Sequence, residues 1–325
     1  STWMVFSKGL FLFLILLAGI WGLFLLIFSP VHSTDTPETA QAKEIISRWS
    51  ILSHNRKAKV IYATPPHMMI LDLKTGQRKI IPNIVVEGGS GRKNRGLTPR
   101  PFWAPDGKRF IYRYHNRVYV GNEKGEKKQL KNKLMNTSKE TRWSWWRDNQ
   151  TDWAVGPSQN GNVILVNISN PSITRTVYRG GDVKWWCEIT GTGKYVVVDT
   201  GSDIYVAPTE NHSQRIKISR RQSCRPCAAP DNRVAWLPAS HTRYHIFNAV
   251  NGHPLGKLLA PPNEGIYRLN WSNHHDFAVH MYGSADNQRM HARRLSTGEF
   301  VWIGHGWDPD LWVEAKTQQS GKTGQ

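Results

Sequence analysis

The stretch Pro99 to Asn122, PRPFWAPDGKRFIYRYHNRVYVGN, returns along the chain in altered form. It holds an apolar strand, a Pro-Asp-Gly turn, an alternating strand RFIYRY, a two-residue turn and a further strand RVYVGN. Gly, Asn, Asp and Pro supply the backbone angles that tight turns need, and the period-2 alternation marks half-buried strands. Related segments begin at Arg142, Val183, Arg225 and Tyr267, and an incomplete copy, KAKVIYATPPHMMILDLKTGQRKII, begins at Lys57. Aligned on Trp103, Trp145, Ile189, Ala228 and Trp271, the copies lie 42, 44, 39 and 43 residues apart.

Each copy carries four short strands. Such a meander cannot bury both of its faces alone, whereas stacking several around an axis does so and protects the sheet edges. A period near forty with four strands is propeller spacing. Five full copies and the partial first one predict an all-β chain, a six-bladed β-propeller of four-stranded blades over residues 57–315. The segment WDPDLWVEA, Trp307 to Ala315, is too short for a blade. It is expected to pair into the first blade and close the ring, or to lie just beyond it. A β-sandwich is the competing fold, and the repeated Trp-x-Pro-Asp-Gly register argues against it. Residues 316–325 form a polar tail.

The ring is preceded by GLFLFLILLAGIWGLFLLIF, Gly9 to Phe28, twenty residues without a charge or a Pro. As a helix at ~1.5 Å per residue this spans about 30 Å, the hydrocarbon thickness of a bilayer. Its length exceeds the apolar region of a cleaved signal peptide, so the expectation is an uncleaved transmembrane anchor. The lipid-facing side chains would be Phe11, Leu12, Phe13, Leu14, Ile15, Leu16, Leu17, Ile20, Trp21, Leu23, Phe24, Leu25, Leu26, Ile27 and Phe28. Lys8 precedes the span and no acid does. The positive-inside rule then places residues 1–8 in the cytoplasm and the propeller outside. Residues 29–56 are a spacer in which Pro37 and Glu38, followed by Ile45, Ile46, Trp49 and Ile51, read as a short helix. The alternative makes RWSILS the first blade's inner strand. Lys and Arg outnumber Asp and Glu by 43 to 24, a net charge of +19. That excess points to an anionic partner, and a basic domain outside the membrane makes nucleic acid a poor one.

The segment FWAPDGKRFIYRYHNRVYVGN resembles the TolB-type repeat, Trp-Ser-Pro-Asp-Gly-Lys followed by a strand and an Ile-Tyr-Val strand. Trp103, Pro105, Asp106, Gly107 and Lys108 match it. CAAPDNRVAW keeps Pro230 and Asp231 with Asn232 in place of Gly, EITGTGKYVVV keeps Gly193 and Lys194, and WSNHHDF keeps Trp271 and Ser272. The likeness covers about Lys57 to Gly304. It implies the propeller fold, a bacterial source and binding of partner segments at the channel mouth. It also implies that the Asp-Gly residues are structural turn formers.

Chemistry-bearing motifs are few. Cys224-Arg-Pro-Cys227 lacks the following His of a haem attachment site, a second ligand pair for zinc, and the αβ context of a thioredoxin-like site. In the repeat alignment Cys187 falls at the position of Pro226. The three thiols are therefore expected on adjacent inner strands, with a disulfide from Cys187 to Cys224 or Cys227, or else as buried free thiols. No Gly-x-Ser-x-Gly elbow, His-Glu-x-x-His, phosphate loop or dinucleotide fingerprint occurs, so no catalytic residue, cofactor or metal ligand is assigned. His274 and His275 stand where other copies have Pro-Asp and are expected in a solvated turn. Trp143, Trp145, Trp146, Trp185 and Trp186 begin inner strands, as wedges between blades or as an aromatic mouth. Two basic clusters precede inner strands: Arg92, Lys93, Arg95 and Arg100, and Arg215, Lys217, Arg220, Arg221 and Arg225. They are expected on one rim, either solvated or docking an acidic protein surface or anionic headgroups.

These features together predict a single-pass protein of the bacterial cytoplasmic (inner) membrane with its propeller in the periplasm. Its role would be a non-catalytic interaction or accessory subunit of a larger membrane complex, for example a respiratory or photosynthetic one. The alternative is a periplasmic enzyme or a glycan or small-ligand binder using a Trp-rich mouth.

Overall fold

The computed structural model describes residues 37–86, 99–138, 140–146, 152–219, 223–260, 265–284 and 287–315. Among them, 24 strands form six four-stranded antiparallel sheets. The first sheet orders β24 (Trp307–Val313), β1 (Ala58–Thr64), β2 (His67–Asp72) and β3 (Arg78–Val85) from the inside out. The second runs β4 (Phe102–Trp103), β5 (Arg109–Tyr114), β6 (Arg117–Asn122) and β7 (Lys127–Leu130). The third runs β8 (Ser144–Trp145), β9 (Trp153–Pro157), β10 (Val163–Asn167) and β11 (Thr174–Tyr178). The fourth holds β12 (Cys187–Ile189), β13 (Tyr195–Asp199), β14 (Ile204–Pro208) and β15 (Ile216–Lys217). The fifth holds β16 (Ser223–Ala228), β17 (Arg233–Pro238), β18 (Arg243–Asn248) and β19 (Pro254–Leu259). The sixth holds β20 (Ile266–Trp271), β21 (Phe277–Ser284), β22 (Asn287–Arg294) and β23 (Phe300–His305).

The incomplete first copy is completed by the last segment of the repeat region. β24 pairs antiparallel with β1, with Ala58 opposite Val313 and Val60 opposite Leu311, so the two ends of the domain share one blade. Of the two placements expected for WDPDLWVEA, this is the ring-closing one.

Apolar clusters fill the seams between blades, because each sheet is apolar on both faces and needs a neighbour on either side. Phe102, Ile111, Trp145, Ala154 and Ile164 join the second and third blades, for example. Trp103, Trp145 and Trp271 are buried in these seams. A basic residue opening the second strand of one blade lies over the next blade's Trp. Lys59 lies 6.0 Å from the Trp103 ring, Arg109 lies 4.9 Å from Trp145, and Arg233 lies 5.8 Å from Trp271. The Pro-Asp-Gly turn sets this geometry. Asp106 Oδ1 accepts the N–H groups of Lys108 (2.8 Å) and Arg109 (3.2 Å), and Gly107 takes a left-handed φ of +63°.

Pro37–Ser53 forms helix α1. RWSILS is thus helical, and the inner strand of the first blade comes from β24 instead. Ile45, Trp49 and Leu52, at i, i+4 and i+7, make one buried stripe against the seam between the sixth and first blades. The Trp49 ring sits 5.5 Å from Phe277, and its indole N–H donates to the Arg56 carbonyl at 2.9 Å.

The expected membrane span at 9–28, the 1–8 segment and the 316–325 tail lie outside the described residues. Among the described residues no helix is long and apolar enough to cross a membrane.

Candidate functional site

The starts of the inner strands bring five residues together at the channel mouth: Arg100, Arg142, Trp186 and Arg268, each three positions before its aligned anchor, and Asp308 in β24. Arg225 has the same offset in the fifth blade, where it bonds to the Tyr267 carbonyl. A contact repeated in two blades confirms that register. Asp310 Oδ2 accepts the Trp103 N–H at 2.7 Å, and Glu188 Oε2 accepts the Ala228 N–H at 2.8 Å. Side chains alternate along a strand, so a second layer follows two residues on: Phe102, Ser144, Glu188, Cys227, Asn270 and Asp310. Arg100, Arg225 and Asp308 each precede a Pro and take φ of +48°, +55° and +50°. At Arg225 this accommodates a β-bulge between Cys224 and Cys227.

The mouth is an arginine cluster built around an indole. The guanidinium groups of Arg100, Arg142 and Arg268 lie 5.1, 5.3 and 5.2 Å from the Trp186 ring. Arg142 Nη1 is 2.6 Å from Glu188 Oε1, and its Nη2 donates to Asn270 Oδ1 at 2.8 Å. Asn270 Nδ2 in turn donates to the Pro309 carbonyl at 2.5 Å. Arg268 pairs with Asp308. Arg142 and Arg268 are 1 % and 2 % exposed. Burial pushes the Arg142 guanidinium below its ordinary pKa, opposed by Glu188. Burial also lowers Arg100, opposed by Asp308 and reinforced by the nearby Arg268, Arg113 and Arg142. Arg100, lowered to about 9, stays cationic near neutrality. Arg142 Nε and Arg268 Nε and Nη2 are buried donors with no hydrogen-bond partner among the described residues. Beside the cluster, the Asp199 N–H donates to the Trp186 carbonyl at 2.9 Å, and burial pushes the Asp199 carboxyl up to about 6. The arrangement presents forked, desolvated donors to an anion beside an aromatic face.

The expected basic rim divides. Arg92, Lys93, Arg95, Arg220 and Arg221 lie outside the described residues. Arg100 is half-buried inside the mouth, where its Nη1 donates to the carbonyls of Glu140 (2.6 Å) and Thr141 (3.1 Å). Arg225 donates to the Tyr267 carbonyl and lies over the Tyr267 ring at 5.7 Å. Arg215 and Lys217 are held by acids on the outer part of the ring. Arg215 is 2.5 Å from Asp182, and Lys217 is 2.8 Å from Asp203.

The thiols also separate. Cys187 is unbridged and packs with Val155, Leu165 and Val198, between the third and fourth blades. Cys227 packs with Leu237, Leu269 and Trp271, between the fifth and sixth. Of the two bonds expected from Cys187, to Cys224 or Cys227, the one to Cys227 is not formed, and the alternative of buried free thiols describes both residues, which lie in different seams. The reason is strand alternation: Cys187 aligns with Pro226, one residue from Cys227, and a one-residue offset reverses the face. The side chain of Cys224 lies outside the described residues. Of the tryptophans, Trp143 and Trp145 are core, Trp146 is partly buried in the seam of the third and fourth blades, Trp186 stands in the arginine cluster, and Trp185 is 37 % exposed.

Sequence reasoning missed Arg142, Arg268, Asp308 and Glu188 as a group. For Arg142 and Arg268 the signal was present in the shared offset of three from the alignment anchors; Glu188 and Asp308 carried no such signal.

No protein-family model and no curated protein matches the sequence. Solved structures do match in fold. A putative TolB from Agrobacterium tumefaciens has a TM-score of 0.55 at 10% identity, covering 80% of this chain and 97% of that one. TolB from Acinetobacter baumannii gives 0.54 at 15% identity, covering 86% and 74%. A chain of a nidogen–laminin complex gives 0.55 at 8% identity, covering 79% and 98%. At these identities the likeness is one of fold: the chain is a TolB-like six-bladed propeller in architecture.

Proposed function

We propose that this chain is a non-catalytic docking subunit, tethered by residues 9–28 to a bacterial cytoplasmic membrane with its propeller in the periplasm. There it receives a segment of a larger membrane protein complex, of the respiratory or photosynthetic kind, at the channel mouth. The observation that carries this reading is the rigid mouth itself, where three guanidinium groups surround Trp186. Such a face suits recognition of a partner's anionic and apolar groups together. The uncharged span from Gly9 to Phe28 supports tethering, which raises the effective concentration of a partner in the same bilayer. The likeness to TolB structures supports the scaffold on which such a face is displayed.

Affinity capture of the full chain from gently solubilised native membranes tests this. The expected result is a stoichiometric integral-membrane partner whose capture is lost when Arg100 is replaced by Glu. A chain that elutes alone overturns the reading.

A further inference from the structure

The outer edge of the second blade carries a run of cations with which no acid of the described residues pairs. Over residues 117–133 six basic side chains, Arg117, Lys124, Lys127, Lys128, Lys131 and Lys133, stand against Glu123 and Glu126. Both acids are occupied: Glu123 by Lys59 and Lys79, and Glu126 by Asn122 Nδ2 at 2.6 Å. All six cations are exposed. Lys127 Nζ donates to the Asn83 carbonyl at 2.9 Å, and the other five side chains make no hydrogen bond or ion pair among the described residues. Arg215 and Lys217, on the outer part of the fourth blade, are by contrast each held by an acid. Like charges gathered this closely repel one another, and an anionic surface relieves that repulsion. Arg117, Lys131 and Lys133 also line a hollow of about 380 Å³ whose wall includes Leu130 and Met135, and Leu134 is 37 % exposed.

Two observations select a lipid surface as the occupant. The first is the kind of cation. Five of the six are lysines, compact charges on flexible stems with no fixed fork, which suit a fluid array of phosphates better than one rigid partner. The second is where the chain leads. The start of α1 lies against the outer edge of the first blade: Arg78 Nη2 donates to Gln41 Oε1 at 3.4 Å, and a Cβ on Gly76 would lie 2.9 Å from that of Ala42. Between Phe28, the end of the apolar span, and Gln41 are only the twelve residues 29–40. Even fully extended they reach at most about 40 Å. The edge they lead to is β3, and the lysine-rich edge adjoins it through the bond from Lys127 to Asn83. On β3 itself Ile80 and Val85 are exposed, apolar side chains beside the basic ones, as an interfacial surface requires.

We infer that the joined outer edges of the first and second blades dock on the anionic phospholipid headgroups of the bilayer that holds the tether, through Lys124, Lys127, Lys128, Lys131, Lys133 and Arg117. The inference rests on the tether in the reading above and adds a second contact with the membrane. Such docking fixes which side of the propeller meets the bilayer and leaves the mouth for a protein partner.

The test is lysine acetylation of the full chain in lipid nanodiscs, read residue by residue by mass spectrometry. One set of discs is phosphatidylcholine alone and the other an equal mixture with phosphatidylglycerol. In the anionic discs Lys128, Lys131 and Lys133 should label about fivefold more slowly than in the neutral ones. Lys257, exposed on the fifth blade, should label alike in both. The difference should vanish in about 0.5 M NaCl, because these charges are exposed. In the triple variant Lys128→Gln, Lys131→Gln, Lys133→Gln, Lys124 should lose its lipid-dependent protection. Equal labelling in the two discs overturns the inference. Protection in native membranes without protection in anionic discs also overturns it and assigns the edge to an acidic protein. A chain that enters the discs yet labels alike in both leaves the tether standing and removes only this inference, whereas a chain that stays outside the discs removes both.

Discussion

Glu188 serves two blades at once, with one oxygen 2.6 Å from Arg142 and the other accepting the Ala228 N–H at 2.8 Å. Both members of the ion pair are almost fully buried. Removing one partner leaves the other charge stranded in a low-dielectric interior. Glu188→Ala is therefore expected to lower stability by about 3–5 kcal/mol, measured by urea unfolding. A loss under about 1 kcal/mol, the size typical of an exposed pair, would mean water reaches Arg142. Gly107 illustrates a different constraint. Its φ is +63°, and a Cβ there would lie 2.3 Å from the Trp312 ring. Gly107→Ala should cost about 1–2 kcal/mol for the left-handed backbone alone, with more for moving the ring, in the same unfolding assay. The Gly107 requirement was legible in the Pro-Asp-Gly motif. The Glu188 requirement was not, because its partners are 46 residues before it and 40 after it in sequence.

At the scale of elements, ring closure depends on β24. Truncation after Gly306 would strip β1 of its inner neighbour and leave an apolar, unpaired edge. The truncated chain should elute as aggregate in size-exclusion chromatography and lose its cooperative thermal transition, whereas the full chain keeps both. Helix α1 covers the same closing seam, and Trp49 contributes its largest buried side chain. Trp49→Ala should cost about 3–5 kcal/mol, as large aromatic truncations in cores do, and calorimetry would read it as a lowered melting temperature. The period near forty made the blades legible. It left the first strand of the first blade open, since RWSILS and WDPDLWVEA both had strand-like composition. Pairing of Val60 with Leu311 decided between them.

Across the whole molecule, acid sensitivity should come from histidines in the sixth blade. Burial pushes His274 and His291 down to about 4, and it drives His280 well below the ordinary histidine value of 6.5. Nearby basic groups add to the effect: Arg56 at His274, Arg289 and Arg293 at His291, and Arg293 at His280. Above 6.5 neither the folded nor the unfolded state protonates these rings. As pH falls from 6.5 toward about 4 the unfolded state takes up protons that the fold refuses, so stability drops. Asp199, raised from 3.8 to about 6, acts in the opposite sense over part of that window, but it is one group against three. The melting temperature is expected to fall between pH about 7 and about 4.5, and a flat profile there would contradict the neutral, buried state of these rings.

What the sequence by itself determined was the unit and its repetition. Turn chemistry and period-2 alternation are local properties, and a period near forty with four strands admits few ways to bury every face. Tertiary structure decided which residues meet. Ring closure carried Asp308 to the mouth beside Arg268, whose ion pair spans forty residues of chain, and placed Arg100, Arg142 and Arg268 around Trp186. It also turned Cys187 and Cys227 into different seams. The physical reason is that such contacts depend on strand phase and blade order. A single residue of offset reverses a side chain, and neighbours around a ring need not be neighbours along the chain.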